Sequence, residues 1–148
     1  MPETNTAPVA KPRARASILV LDDDDGFRRF LVQALTEEGY SVVDSGDANA
    51  VLAILDGSVF FDLLITDIKM PRFQAHGIAV GRMAMLKRRG IKIIYVTGDP
   101  SQVPRNFIDT AETPLLGKPI RLEFLLDTVA AVLAIRERPS RAREPRRR

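Results

Sequence analysis

The sequence predicts an α/β fold in which a five-stranded parallel sheet is covered by helices on both faces. Short apolar runs alternate along the chain with segments that carry apolar residues at helical spacing. The clearest runs, at residues 18–21 and 63–65, are continuously apolar, which is typical of strands buried on both faces. Strands separated by helices pair in parallel through right-handed crossovers, so the alternation predicts one sheet between two layers of helices.

Five apolar runs mark the strands, and each is closed by residues that are common in turns. The third run is the most informative, because Asp67 lies where it stops and Pro71 excludes a continued strand or helix. The predicted strands are residues 17–21, 40–44, 63–65, 91–96 and 114–117.

Helical spacing between these runs predicts five helices. The first is the clearest, with apolar residues at i, i+3, i+4, i+7 and i+8 and with Gly39 as its stop. The second is short and ends near Gly57. The third covers residues 77–89, and the fourth, over residues 101–111, is irregular because it contains Pro104. The apolar stripes are Phe27, Phe30, Leu31, Ala34 and Leu35 in the first helix, Val51, Leu52 and Leu55 in the second, and Leu122, Leu125, Leu126, Val129, Val132 and Leu133 in the last.

Composition predicts one domain between two extensions. A chain of 148 residues has room for one domain of ordinary size, and its 45% hydrophobic residues suffice for a core. Residues 1–16 are rich in proline and bases, and residues 136–148 contain seven arginines, so both segments are predicted to be disordered around a domain at 17–135. That domain is mildly acidic, which argues against a nucleic-acid-binding face. Only the basic tail has an electrostatic route to nucleic acid or an acidic partner.

Absent residue types exclude several classes of site. The chain has no cysteine, which excludes disulfides and thiolate metal sites. Its single histidine, His76, excludes a histidine-rich metal site within one chain and is interpreted as a solvated loop residue. No apolar segment is long enough to span a membrane and the N-terminus has no apolar signal region, so the expected location is the cytoplasm.

Residues capable of chemistry follow four of the five predicted strands. Asp22 and Asp23 follow the first strand, Asp67 the third, Thr97 the fourth and Lys118 the fifth. The carboxyl ends of parallel strands lie on one edge of the sheet, and open parallel sheets bind ligands beyond that edge. The sequence therefore predicts one site built from these residues.

The same motifs resemble the receiver domain of bacterial two-component response regulators. The matching segments are the apolar strand that ends in Asp22-Asp23, the run through Asp67 to Pro71, Val96-Thr97 and Gly117-Lys118-Pro119, within residues 17–135. The resemblance implies a stand-alone receiver with a flavodoxin-like fold and strand order 2-1-3-4-5, in which strands one and three are neighbours. Neighbouring strands lie about 4.8 Å apart, so the acids would be crowded. Two carboxylates about 5 Å apart repel by roughly 3 kcal/mol at an effective dielectric of 20, which favours a bound cation such as Mg²⁺.

The resemblance implies a role for each acid. Asp67 would be the nucleophile that accepts a phosphoryl group. Mg²⁺ would be held by Asp23, Asp67 and the backbone carbonyl of Lys69, with Asp22 acting through water. Asp24 follows the pair and is predicted to cap the first helix together with Asp25.

Two further residues complete the implied site. Thr97 would offer its hydroxyl to a phosphoryl oxygen. Lys118 would reach Asp67 from two strands away, about 10 Å on the strand spacing, which only a long cationic side chain can span. Pro119, which follows it, is predicted to be cis.

Three positions depart from the family pattern. Leu115 stands where a tyrosine or phenylalanine is usual, three residues before Lys118. The loop at residues 72–77 lacks the usual Asp-Gly pair, and Pro104 interrupts the fourth helix. These departures concern the signalling surface more than the phosphorylation chemistry.

The predicted function is that of a receiver that takes a phosphoryl group from a sensor histidine kinase or phosphotransfer protein and then changes its binding to a downstream protein. Its chemistry would be its own phosphorylation and dephosphorylation, without turnover of an outside substrate. The alternative is an interaction module that keeps the receiver fold without phosphorylation, which Leu115 and the altered loop favour. A Mg²⁺-dependent phosphohydrolase is disfavoured, because Lys69 stands where such enzymes carry a second acid.

Overall fold

Strands and helices alternate from Ser17 to Ala134 in the computed structural model, which describes residues 14–70, 75–103 and 110–135. The predicted N-terminal extension lies outside the described residues except for residues 14–16, and the predicted C-terminal extension lies wholly outside them. Pro71 and Pro104 also lie outside the described residues. The elements are β1 (Ser17–Leu21), α1 (Asp25–Glu37), β2 (Ser41–Ser45), α2 (Ala48–Asp56), β3 (Leu63–Asp67), β4 (Lys69–Met70), β5 (Ala75–His76), α3 (Gly77–Lys87), β6 (Lys92–Thr97), a 3-10 turn (Pro100–Gln102), β7 (Leu115–Gly117) and α4 (Leu122–Ala134).

Five of the strands form one parallel sheet in the order β2-β1-β3-β6-β7. This is the predicted order 2-1-3-4-5, and it confirms the predicted fold class. The register aligns the carboxyl ends of the central strands, since Leu21 pairs with Thr66 and Asp67 pairs with Val96. The strand ends therefore meet at one edge of the sheet.

Each face of the sheet contributes to a separate hydrophobic core. Alternate residues of a strand point to opposite faces, so Leu19 and Leu21 pack toward α2 and α3, whereas Ile18 and Val20 pack toward α1 and α4. Burial on both faces explains why residues 18–21 of β1 and residues 63–65 of β3 are continuously apolar. Leu122, which the sequence placed in the apolar stripe of the last helix, is 46% exposed at the start of α4, so this part of the prediction is wrong.

The ends of α1 follow the sequence signals. Asp24 is the N-cap, and its Oδ1 accepts a hydrogen bond from the Phe27 N–H at 3.1 Å. Gly39, just beyond the C-cap, has a φ of +93°, a left-handed conformation that glycine adopts without a steric cost. The prediction that Asp24 caps this helix is confirmed.

Two segments differ from the predicted elements. The region after β3 was predicted to be a loop, but Lys69–Met70 and Ala75–His76 pair as a short antiparallel ladder before α3 begins. In place of the start of a helix at 101–111, the chain forms the 3-10 turn Pro100–Gln102, and residues 104–109 lie outside the described range. None of the helices in the described part of the chain is long and apolar enough to cross a membrane.

Candidate functional site

Three acids meet at the carboxyl edge of the sheet. Asp22 directly follows β1 and Asp67 is the last residue of β3, and the two strands are neighbours in the sheet. Carboxylate oxygens of Asp22, Asp23 and Asp67 all lie within 4.8 Å of one another. Asp22 is 1% exposed and Asp67 is 6% exposed, so two of these charges are almost removed from water. We call these three residues the acid cluster.

The backbone around Asp22 fixes its direction. Its N–H donates to the Ser45 carbonyl at 3.2 Å, and its Oδ1 accepts a hydrogen bond from the Asp24 N–H at 2.8 Å. Its other carboxylate oxygen, Oδ2, is buried and accepts no hydrogen bond of acceptable geometry from the described residues. Asp22 Oδ2 is therefore free to interact with a positive charge.

Lys118 supplies the positive charge nearest to the acid cluster. Its Nζ lies 2.9 Å from Asp22 Oδ2 and 3.4 Å from Asp67 Oδ2. Its backbone N–H donates to the Thr97 carbonyl at 2.8 Å, which ties the residue after β7 to the end of β6. The predicted reach from two strands away is thus present in the structure, and the bond from Lys118 to Pro119 is cis, as predicted.

Phe27 forms part of the binding site of the Lys118 ammonium group. The Nζ atom lies 4.3 Å from the centre of the Phe27 ring, within the range of a cation–π contact. The sequence placed Phe27 only in the apolar stripe of the first helix. The available sequence signal was that Phe27 lies in the first turn of the helix that follows the acids. Helical spacing alone cannot distinguish a side chain that contacts the core from one that contacts a cation.

Burial and crowding change the protonation behaviour of the site. Burial and the negative charge of Asp22 raise the pKa of Asp67 to about 6, although Lys118 opposes the shift. For Lys118, burial by itself lowers the pKa, but the attraction of Asp22 and Asp67 outweighs it and the net direction is upward. The ionised form of Asp67 therefore destabilises the folded domain at neutral pH, and Lys118 stays charged.

Thr97 and Lys69 lie beside the acid cluster but contact other residues. Thr97 is fully buried, and its Oγ1 accepts a hydrogen bond from the Asp99 N–H at 3.2 Å. The Lys69 ammonium donates to Gln102 Oε1 at 2.6 Å. The Gly77 N–H donates to the Ile68 carbonyl at 2.8 Å, on one side of the Lys69–His76 pair. Lys69 and His76 are therefore a non-hydrogen-bonded pair of the antiparallel ladder, in which the N–H and C=O groups of each residue point away from the other strand. The Lys69 carbonyl is therefore not used by this ladder.

Gly77 lets α3 begin directly against the backbone of Asp67. A Cβ at this position would lie 1.8 Å from the Asp67 carbonyl oxygen, which no side chain can occupy. The sequence predicted a helix start here but not this contact. His76, which was predicted to be a solvated loop residue, is exposed but lies in β5, so its assignment to a loop is wrong.

Position 115, where the family usually has tyrosine or phenylalanine, is leucine, but the residue paired with it in the neighbouring strand is the aromatic Tyr95. Leu115 is partly buried and pairs with Tyr95 of β6. Tyr95 is buried, and a Cβ on Gly81 of α3 would lie 2.2 Å from its hydroxyl oxygen. Burial raises the pKa of this hydroxyl. The ring therefore fills the core under α3.

The acid cluster has the donor set of a divalent-cation site. Three carboxylates converge, and one buried oxygen of Asp22 has no hydrogen bond from the described residues. Hard oxygen ligands of this kind suit Mg²⁺. The residues present therefore fit a bound Mg²⁺ ion, with Asp22, Asp23 and Asp67 as the side chains in reach.

The five-stranded parallel sheet with the acid cluster at its carboxyl edge is the architecture of a receiver domain, and comparison with known proteins agrees. Residues 18–130 match the response regulator receiver domain, so the chain belongs to this family of two-component signalling domains. The chain is 32% identical over 123 residues to the response regulator receiver protein CpdR of Brucella abortus, covering 78% of this chain and 95% of CpdR.

Other relatives are longer or are known as structures. The chain is 33% identical over 131 residues to the CAI-1 autoinducer sensor kinase/phosphatase CqsS of Vibrio cholerae; the match covers 86% of this chain but spans only 19% of CqsS. The crystal structure of a CheY-like receiver domain protein from Methanospirillum hungatei superposes with a TM-score of 0.70 at 32% identity, over 80% of this chain and 93% of that one. Vibrio cholerae CheY4 superposes with a TM-score of 0.69 at 26% identity, over 79% of this chain and 98% of that one.

Proposed function

We propose that this receiver domain accepts a phosphoryl group on Asp67 from the phosphohistidine of a sensor histidine kinase or phosphotransfer protein, with Mg²⁺ as cofactor. The observation that carries the proposal is the acid cluster with the Lys118 ammonium 3.4 Å from Asp67 Oδ2. Formation of an acyl phosphate by phosphoryl transfer requires a nucleophilic carboxylate, further acids that bind a metal ion, and a fixed cation.

In the transfer, a carboxylate oxygen of Asp67 attacks phosphorus and forms a P–O bond. The P–N bond of the phosphohistidine breaks, and its electron pair returns to the imidazole, which takes up a proton. With a pKa of about 6, Asp67 is mostly ionised at neutral pH and can act as the nucleophile. The Lys118 ammonium, 3.4 Å from Asp67 Oδ2, would attract the oxygens of the incoming group. Thr97 would turn its hydroxyl from the Asp99 N–H toward a phosphoryl oxygen.

The metal would be held by Asp23, Asp67 and the carbonyl of Lys69, with Asp22 acting through water. When bound, Mg²⁺ supplies positive charge that offsets the phosphoryl oxygens and the carboxylates together. Asp22 Oδ2 is available for this role because, within the described residues, it accepts no hydrogen bond and is paired only with the Lys118 ammonium. The Lys69 carbonyl is available because the β4–β5 ladder leaves it unused.

Phosphorylation would then change how the domain binds a downstream protein. A phosphoryl group on Asp67 competes for Lys118 and Thr97, which are joined by a backbone hydrogen bond between β6 and β7. That connection offers a route from the site to the surface of β7 and α4, whose equilibrium would shift. The domain would catalyse only its own phosphorylation and dephosphorylation. A cytoplasmic location is part of the same proposal.

A second candidate is an interaction module that works without phosphorylation. Leu115 favours it, because an aromatic side chain usual at this position is absent and Tyr95 fills the core under α3 instead. Under this alternative the domain would bind its partner equally well with Asp67 intact or replaced. The crowded acids and Lys118 favour the phosphorylation proposal over it.

Phosphorylation is tested with acetyl phosphate or phosphoramidate and Mg²⁺, by intact mass. The wild-type domain should gain the mass of one phosphoryl group in Mg²⁺ and none in EDTA. Asp67→Ala should gain nothing. Asp56→Asn, which changes an exposed acid that pairs with Lys87 at another face, is the matched control and should behave like wild type. A gain that survives in Asp67→Ala, or no Mg²⁺-dependent gain in wild type, would contradict the proposal.

A further inference from the structure

Arg28 joins three segments beside the acid cluster, and the proposed phosphoryl transfer does not use it. Its Nε donates to Asp44 Oδ2 at 3.0 Å, and its Nη2 donates to Asp25 Oδ1 at 2.7 Å. Its Nη1 donates to the backbone carbonyl of Asp22 at 2.6 Å. Asp44 belongs to β2 and Asp25 to α1, while Asp22 follows β1, so one guanidinium connects all three elements.

The surroundings of Arg28 are shaped for this side chain. A Cβ on Gly46 would lie 2.7 Å from Nη1, so the glycine leaves the space that the guanidinium fills. The side chain is 18% exposed. A base in the first turns of a helix opposes the helix dipole, which makes Arg28 unfavourable there unless specific partners offset it. This unfavourable position is the sequence signal that could have identified Arg28 as a residue with a dedicated role.

Arg28 and Lys118 contact different groups of the acid cluster. Arg28 binds the backbone carbonyl of Asp22, whereas Lys118 lies beside the carboxylates of Asp22 and Asp67. The Lys118 ammonium is 2.9 Å from Asp22 Oδ2, so Lys118 would compete with a bound metal ion for that oxygen. The charge of Arg28 is matched by Asp25 and Asp44, both outside the acid cluster. A cation that enters the cluster does not need to displace Arg28.

We infer that Arg28 is a positioning residue for cation binding, an inference that rests on the proposed Mg²⁺ site. The Asp22 N–H donates to Ser45 at the end of β2, and the Asp22 carbonyl is held by Arg28, which is itself anchored on Asp44 of β2. Arg28 thus holds the turn after β1 against β2 and keeps the carboxylates of Asp22 and Asp23 directed at Asp67. Loss of the guanidinium loosens this turn and weakens cation binding, although every carboxylate is retained.

The test compares Arg28→Met and Arg28→Lys with Arg15→Met. Arg15 is the matched control because it also anchors a segment, through an ion pair with Glu38 at 3.3 Å and a contact with the Tyr40 ring at 5.1 Å, but not through the acid cluster. Calorimetry gives the Kd for Mg²⁺, and urea unfolding in EDTA gives the stability of each variant. Arg28→Met should raise the Kd about tenfold or more, the range seen when groups that orient metal ligands are lost. Arg28→Lys should recover part of the affinity, and Arg15→Met should keep the wild-type Kd whatever stability it loses.

Asp44→Asn provides a second variant in case Arg28→Met does not fold. It keeps the guanidinium but replaces one of its two carboxylate partners, so its Kd should rise more than twofold above wild type but less than that of Arg28→Met. A Kd for either variant within twofold of wild type would overturn the positioning role, as would an equal loss of affinity in Arg15→Met.

A wild-type domain that binds no Mg²⁺ would refute the proposed metal site rather than the placement of the turn. The placement is then judged by hydrogen exchange of the Asp24 amide, which donates to Asp22 Oδ1. Faster exchange in Arg28→Met than in Arg15→Met supports the role of Arg28, and equal exchange in the two variants overturns it.

Discussion

Replacing Asp67 by asparagine should stabilise the metal-free domain at neutral and alkaline pH. Burial and the charge of Asp22 raise the pKa of Asp67 from 3.8 to about 6, so the folded state binds this proton more tightly than the unfolded state. A rise of about two pH units corresponds to about 3 kcal/mol of differential stability. The side chain is only 8% exposed, so solvent screening removes little of this effect.

The sign of the effect depends on pH. A raised pKa gives the fold an advantage that is complete below the unfolded value near 3.8 and is lost as the pH rises through about 6. Wild type therefore carries the full cost of the charge at pH 8. Asparagine has the same shape without the charge, and Lys118 keeps Asp22 as its partner. Asp67→Asn should gain about 1–3 kcal/mol at pH 8 and close to nothing at pH 4.

Urea unfolding in EDTA at pH 4, 6 and 8 measures this difference. Asp62→Asn is the matched control: its Oδ2 accepts a hydrogen bond from the Ser17 N–H at 2.8 Å, at the opposite edge of the sheet, and it should show no gain at pH 8. With Mg²⁺ present, wild type should recover more stability than Asp67→Asn, because one ligand of the cation is charged only in wild type. A variant that is no more stable than wild type at pH 8, or a difference that is equal at all three pH values, would refute the reasoning.

Three other substitutions test the geometry of the site. Gly77→Ala should cost at least about 2 kcal/mol in urea unfolding and abolish phosphorylation, because its Cβ would lie 1.8 Å from the Asp67 carbonyl oxygen. Gly98→Ala is the control and should be nearly neutral, because its Cβ would meet no atom of the described residues within 4 Å apart from its chain neighbours. Equal costs in the two variants would contradict the close approach of Gly77 to Asp67. Lys118→Met should raise the pKa of Asp67 further in an NMR titration, since Lys118 lowers it, and an unchanged pKa would show that the ion pair is not formed. Asp24→Ala should lower the stability in urea unfolding through the lost helix cap, while phosphorylation by a small donor persists. Loss of phosphorylation without loss of stability would instead place Asp24 among the metal ligands.

The strands and most helices could be predicted because their signals are local. Burial on both faces demands continuous apolar runs, and a helix covering the sheet demands apolar residues at helical spacing. The strand-end acids could be predicted for a related reason, since every carboxyl end of a parallel sheet lies on one edge. The segment around Pro104 was less predictable, because proline signals an interruption of a helix but not the 3-10 turn that forms before it.

The sequence by itself determined the alternation of strands and helices, the convergence of Asp22, Asp23, Asp67 and Lys118, and through its motifs the receiver family. Tertiary structure alone decided how those side chains are supported. Three contacts between different elements of the fold provide this support: Phe27 beneath the Lys118 ammonium, Arg28 on the Asp22 carbonyl, and Gly77 against the Asp67 backbone. Periodicity reports which face of an element is buried, but it carries no information about which neighbour that face meets, and the supporting contacts depend on that neighbour.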